Sequence, residues 1–415
     1  MAGENTLTLT LTLLTTALIY YLTLVHHLRH RRMHRISSPF NKKNRSLSSM
    51  TTLEAHKIIT QLQELEFPSA FNKARRMALL KAGGIPSMSK LFAATGQNNR
   101  RNAGKRAVDT EILLREAQSK SRDSERYAAA VARMNYLHAR YRQAGKITDP
   151  DLLHTLGDGL AEILTVIARE EWRPLTPVEK CALGIFHRNL GEDMGIPFDV
   201  LPSCASGWTD GVHFADELVE WTVQYESHVA KPTATNDQYV RVYVDLAIPR
   251  VLRGIVRGVL GGDLDSVMRG ALGLEEPGPL LSLTILTYRA LRRFILRYLA
   301  LPRPLIFAVK LVAESPNPMS RLTLYNFQRK GLQPWYMAPT LLSRWGPVAL
   351  LVRAVGGKVP GHQGERYQPQ GYDLMTIGPE PQRGKGGEEM MGDMGAIMAR
   401  GVAGCPFSRR NGKEV

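Results

Sequence analysis

Residues 124–145 read SERYAAAVARMNYLHARYRQAG. The alanines are strong helix formers, and no proline interrupts the run before Gly145, whose tolerance of left-handed backbone makes it a natural helix terminator. The stretch predicts a long helix over 124–144, and helical signals spread outward from it in both directions. Upstream, 105–119 reads as a helix with Val108, Ile112 and Leu113 turned inward. Phe71–Ala82 is another, broken by Gly83-Gly84 and Pro86, and Thr52 is placed to cap a helix over Leu53–Leu65. Downstream, Asp149-Pro150 opens a segment carrying Leu152, Leu153, Leu156, Leu160 and Leu164. Thr176-Pro177-Val178-Glu179 has the form of a capping box and starts a helix running to about Met194, and 213–228 is amphipathic. Alternating strand patterns are scarce. The fold class expected is mainly α.

The chain has 415 residues, 44% hydrophobic and 22% charged, ordinary proportions for a folded domain. Three cysteines exclude a disulfide-dense scaffold, and none are spaced as zinc ligands. A net charge of +16 would ordinarily raise nucleic acid as a partner. Its placement argues otherwise. Seven Lys/Arg and four histidines fall between His26 and Arg45 with no acid among them. Directly before them, Thr6–Val25 reads TLTLTLTLLTTALIYYLTLV, twenty residues without a charge. At helical rise this run spans about 30 Å, the thickness of a bilayer core. Threonine hydroxyls can bond back to their own helix, and Tyr20 and Tyr21 suit an interface belt. A cleaved signal peptide would want a basic front, where this chain has Glu4, and a strand of this length would be unusual. The expectation is therefore a short N-terminus (1–5), a transmembrane anchor (6–25) and a basic juxtamembrane linker (26–52) on the cytosolic side, reading anionic lipid rather than nucleic acid.

Two later segments, 239–260 and 280–312, mix apolar runs with arginines, which interrupt them too often for a second span. Arg289, Arg292, Arg293 and Arg297 fall on one helical face. That face is either the solvated edge of a core helix or a surface lying on the leaflet beside the anchor. From 379 to 415 the chain is rich in Gly, Met and charge and is expected to be an irregular tail, with Cys405-Pro406-Phe407 as a local docking point.

The chain has no phosphate-cradling glycine loop, no GxGxxG, no HExxH, no GxSxG and no paired CxxC. Cys405, close to the chain's end, is wrongly surrounded for a P450-type thiolate ligand. Histidine is left as the soft ligand. Outside the basic flank the candidates are His56, His138, His154, His187, His213, His228 and His362. His138 sits on the long helix with Val131, Met134 and Asn135 on its face and Arg142 one turn on. A neutral imidazole in apolar surroundings suits haem iron, and the arginine could meet a propionate; a buried core histidine would look the same. Upstream, Arg106, Asp109 and Thr110 share a face at i, i+3 and i+4. They form either a solvated Arg–Asp pair or a polar group set in an apolar pocket, able to orient oxygen or pass a proton.

The stretches LEFPSAFNKARRMALLKAGGIPSMSKLFAATGQ, KRAVDTEILL, NYLHARYRQAGKITDPDLLHTL, EEWRPLTPVEKCALGIF, FILRYLALPRP, RWGPVALLVRAVGGKVPG and YQPQGYDLMTIGP, with the terminal GCPF, carry a resemblance. Together they resemble the fungal endoplasmic-reticulum-bound oxygenases of the mycophenolic-acid pathway, which share a catalytic domain with bacterial rubber oxygenase (latex clearing protein). The likeness covers essentially everything after the linker. It implies an all-helical, globin-like catalytic domain over 53–378 that holds haem b through one proximal histidine and uses molecular oxygen. It also implies a lumenal N-terminus and a cytosolic catalytic part at the endoplasmic reticulum. His138 matches the ligand, Arg142 the arginine one turn after it, and Arg106 and Thr110 the distal motif. The family's chemistry implies cleavage of a C=C bond in the isoprenoid side chain of a prenylated aromatic, with other pathway enzymes as partners. The rubber enzymes carry lysine where this chain has Asp109, and their glutamate base has no clear counterpart near Lys90. Their proton route therefore cannot be transferred. A non-catalytic haem- or lipid-binding membrane protein would share the same features.

Overall fold

Threonines decide where several of the helices begin. The side chains of Thr51, Thr148 and Thr176 each accept from the backbone N–H three residues on, and Glu54, Asp151 and Glu179 reach back to complete three capping boxes. The first cap is Thr51 rather than Thr52, a shift of one residue. The computed structural model describes residues 2–40, 45–245, 248–310, 312–315, 324–327, 333–361, 367–402 and 404–407. Its helices are α1 (Ala2–Ser37), α2 (Thr52–Gln61), α3 (Pro68–Ala82), α4 (Pro86–Ala94), α5 (Ala103–Ser119), α6 (Glu125–Gln143), α7 (Asp149–Glu170) and α8 (Pro177–Asp193). They continue as α9 (Gly211–Val229), α10 (Ala234–Tyr243), α11 (Arg253–Asp263), α12 (Ser266–Ala271), α13 (Pro279–Phe294), α14 (Leu341–Trp345), α15 (Pro347–Ala354) and α16 (Gly387–Arg400). One short antiparallel pair, Val312–Ser315 with Leu324–Phe327, accompanies them. The mainly helical expectation holds.

The core is laid down where α3 packs on α7, α8 on α2 and α9, and α6 on α5 and α16. At the α8–α9 crossing the backbones nearly touch. A Cβ on Gly184 would lie 1.8 Å from the Gly211 carbonyl oxygen, so neither glycine can be replaced without parting the helices. A second apolar cluster joins the ends of α3 and α4 to α10 and α12 through Met77, Ile85, Tyr239 and Met268.

α1 is the one helix among the described residues long and apolar enough to cross a membrane. Thr10, Thr12, Thr15, Thr16 and Thr23 each donate a hydroxyl to the carbonyl four residues back, at 2.8–2.9 Å, as the threonine-rich run requires. The basic flank departs from expectation. Residues 26–37 are not a linker but the last turns of α1, because no proline or glycine breaks the helix before Ser38-Pro39. Val25, Arg29 and Ile36 are buried against the domain, and Arg32 pairs with Glu66 at 2.7 Å. Positions 41–44 of the expected linker lie outside the described residues.

The tail is also corrected. Met390, Met394 and Ile397, at i, i+4 and i+7, are buried in α16, which packs on α6. That burial, about 1.5–3 kcal/mol per side chain, outweighs the helix-weakening glycines 387, 392 and 395 that made the segment look irregular. Cys405 and Phe407 dock as expected, the Phe407 ring facing Phe214 and lying under the Arg188 guanidinium.

Candidate functional site

A cavity of about 370 Å³ lies between α4, α5, α6, α7 and α8. Its walls are mostly aliphatic: Leu91 and Phe92 from α4, Leu113 from α5, Leu137 from α6, and Leu156 and Ile163 from α7. Into it project Arg106, Asp109 and Thr110 of α5, His138 of α6 and His187 of α8. The α5 face and His138, which the resemblance alone links, thus meet at one void.

His138 is half-buried, its ring lining both the cavity and an adjoining cleft. Its Nδ1 is buried without a hydrogen-bond partner. Burial, then the nearby Arg106 and Arg142 cations, pushes the imidazole down to about 4, so the ring is neutral and its lone pair available at physiological pH. His187 is a second neutral imidazole, also held at about 4, chiefly by burial. Its Nδ1 lies 2.8 Å from the Leu183 carbonyl, an acceptor only. The proton therefore sits on Nδ1 and leaves Nε2 as an acceptor.

Of the two alternatives for this face, the Arg106–Asp109 pair does not form. Arg106 lies over the Phe92 ring, its guanidinium carbon 3.6 Å from the centroid, and donates to the Tyr243 hydroxyl at 2.8 Å. Asp109 instead accepts from Lys105 at 2.7 Å on one oxygen and from the Tyr336 hydroxyl at 2.7 Å on the other. Burial still pushes its carboxyl above the ordinary range, against the pull of Lys105 and Tyr336. Arg142 is not in the main cavity. It lines an adjoining cleft that shares His138, Leu152 and Met194 with it, and donates to the Met194 and Gly195 carbonyls and to Asp149.

Gly378, Pro379, Pro381 and Gln382 close another side, so the start of the supposed tail is cavity wall. They are held there by Arg133, fully buried on α6, which donates to the Ile377 carbonyl at 2.7 Å and the Gln382 carbonyl at 2.9 Å. Lys105 adds a bond to the Gly378 carbonyl at 2.8 Å. Nothing in the local pattern marks Arg133 or Tyr336, whose partners lie more than two hundred residues away.

The remaining histidines stand elsewhere. His154 is fully buried in a network in which its Nε2 meets Glu226 at 2.9 Å. The Lys81 ammonium lies among the acids of that network, 2.8 Å from Asp158 and 2.9 Å from Glu226, so the place a metal cation would take is already filled by positive charge. His213 pairs with Glu217, His228 is exposed, and His56 is absent from the cavity lining. His362 lies outside the described residues.

Fold and site together define a helical protein with an N-terminal membrane-length helix and an apolar cavity lined by two neutral imidazoles. The chain matches no protein-family model. It is 35% identical over 396 residues to the ER-bound oxygenase mpaB′ of Penicillium brevicompactum, covering 94% of this chain and 93% of that protein. A second protein of that fungus, ER-bound oxygenase mpaB, is 34% identical over 356 residues, 85% of this chain and 84% of its own. The ER-bound oxygenase mpaB of Penicillium roqueforti is 40% identical over 221 residues, 53% of this chain. The chain belongs to this family of ER-bound oxygenases, the family of the mycophenolic-acid pathway.

Proposed function

We propose that this chain is a haem b-dependent oxygenase of the endoplasmic-reticulum membrane, with its helical domain in the cytosol, that oxidatively cleaves a C=C bond in the isoprenoid side chain of a prenylated aromatic. The observation that carries the reading is His138: a neutral imidazole that lines an aliphatic cavity and, among the described residues, has neither ring nitrogen hydrogen-bonded. An orphaned Nδ1 alone does not mark a ligand, since His154 has one too within its filled ionic network; His138 differs in lining an aliphatic cavity, which suits a haem ligand. His138 would hold the iron, and Arg142 in the adjoining cleft would take a propionate. Haem b supplies, when bound, the metal centre at which molecular oxygen is activated.

The chain's own residues do the rest. Leu91, Leu113, Leu137 and Ile163 give an isoprenoid chain an apolar bed and keep water from the double bond. Arg106, held by Phe92 and Tyr243, and the Thr110 hydroxyl orient polar groups within that bed. Asp109, with its carboxyl raised and both oxygens fixed, can hold a proton at the cavity wall. The products would be a shortened chain ending in an aldehyde or acid. The membrane placement rests on α1, the basic residues following its charge-free run, and the relatives' naming as ER-bound.

The test is the absorption spectrum of detergent-solubilised protein from haem-replete cells beside its His138→Ala variant. A Soret band in the parent that is lost or strongly shifted in the variant is expected, with oxygen-dependent shortening of a farnesylated aromatic by the parent. A band unchanged by the substitution removes His138 as ligand, and no band in the parent removes haem.

A further inference from the structure

α13 is built inside out. Arg289 turns inward to pair with Asp263, and Arg292 donates to Glu171 at 2.8 Å and to the Glu170 carbonyl. The leucines turn outward: Leu280, Leu283 and Leu286 are 80%, 62% and 61% exposed, and Phe294 51%. No residue of this helix is buried. A surface helix in water shows the opposite arrangement, and so continuous an apolar face needs an occupant. The core-helix alternative fails, since no residue of α13 is buried, and of the four arginines expected on one outer face Arg289 and Arg292 point into the protein.

The occupant follows from the neighbour. The chain leaves α13 through a π-helical turn (Ile295–Leu299) that packs on α1. The Tyr21 hydroxyl donates to the Leu299 carbonyl at 2.6 Å, Arg29 donates to the Ala300 carbonyl at 2.9 and 2.7 Å, and Arg32 to the Arg303 carbonyl at 2.6 Å. Tyr21 lies inside the charge-free run of α1, and Arg29 is the first arginine or lysine beyond it. Residues 299–303 are thereby pinned at the depth where a bilayer crossed by α1 gives way to water. Leu305, Ile306 and Phe307, 78%, 83% and 63% exposed, follow at once.

We propose that the outer face of α13, with the turn and the 305–307 segment after it, is a second membrane contact, seated among the acyl chains of the leaflet from which α1 emerges. The exposed Arg293 and Arg297 have stems long enough to lift their charges to the lipid phosphates. The proposal rests on the membrane-anchor reading of α1. The exposed apolar residues of α14 and α15 are no part of it.

The test uses the full chain in phosphatidylcholine–phosphatidylinositol vesicles. In a Cys204→Ser background, single cysteines at Leu14, Leu286, Phe294, Ile306 and Val223 carry an environment-sensitive fluorophore. Quenchers are a nitroxide on the lipid acyl chain and iodide in the water. Labels at Leu286→Cys, Phe294→Cys and Ile306→Cys are expected to follow Leu14→Cys, with strong nitroxide quenching and several-fold less iodide quenching than Val223→Cys. If Leu14→Cys is quenched by nitroxide while the α13 labels behave like Val223→Cys, the second contact is overturned and the anchor stands. If Leu14→Cys is itself untouched by nitroxide, the anchor reading fails and the proposal with it. Shielding of the α13 labels from both quenchers, with disulfide-linked dimers from unlabelled Leu286→Cys, assigns the face to a second copy of the chain and overturns a lipid occupant.

Discussion

Replacing His187 with leucine should make the protein more acid-resistant. In the folded chain this imidazole is held at about 4, whereas an exposed histidine sits near 6.5. The folded value lies below the unfolded one, so on acidification the unfolded chain takes up its proton first. The stabilisation from keeping the ring neutral is therefore complete above about pH 6.5 and is lost as the pH falls toward 4. A difference of this size amounts to about 2.5 kcal/mol lost between pH 7.5 and pH 4.5, at 1.36 kcal/mol per pKa unit. His187→Leu removes the titration while keeping apolar volume. The Leu183 carbonyl that loses the ring N–H stays within the α8 backbone ladder. At pH 7.5 the variant should lie within about 1.5 kcal/mol of the parent. At pH 4.5 it should have gained on the parent by about 2.5 kcal/mol. Urea unfolding of the two solubilised proteins at both pH values, followed by far-UV circular dichroism, reads this directly. Parallel loss of stability in parent and variant would refute the reasoning, because it would mean that His187 is not a buried neutral ring.

Two further outcomes follow from packing. Gly184→Ala puts a methyl group against the Gly211 carbonyl and should destabilise by about 3 kcal/mol, the upper end for overpacking, because the neighbour is backbone; an unchanged melting temperature would contradict the close crossing of α8 and α9. Arg133→Met strips the Ile377 and Gln382 carbonyls of a charged donor, at about 1.5–3 kcal/mol each. Limited trypsin digestion should then cut rapidly at Arg383 or Lys385, while equal resistance in parent and variant would show that something else holds the cavity's C-terminal wall.

Local signals recovered the helices because they are written within one turn: a capping threonine, a glutamate three residues on, a glycine at the end. They also put Arg106, Asp109 and Thr110 on one face of a helix, since helical spacing states which residues share a face; that this face meets His138 of the next helix was implied by the resemblance alone. They could not state which partner each would choose. Asp109 was as well placed for Arg106 as for Lys105, and the choice was made by Phe92, Tyr243 and Tyr336, which arrive from other parts of the chain. The C-terminal helix was illegible for a different reason. Its glycines are real helix breakers, and only the surface of α6 makes Met390, Met394 and Ile397 worth ordering. The orientation of α13 was hidden because periodicity reports two faces without saying which medium each meets.

The continuity of α1 has a geometric consequence of its own. A helix that runs unbroken from Ala2 to Ser37, gripped at Arg29 and Arg32, acts as a mast rather than a tether. On the anchor reading of α1, the domain can neither swivel nor drift along the membrane normal independently of it. Height and azimuth are set together by the helical screw: one residue added between Tyr21 and Arg29 would turn everything below it by about 100° and shift it by about 1.5 Å. The length of this stretch is thus a phase setting, fixing which side of the helical domain a molecule dissolved in the bilayer meets first.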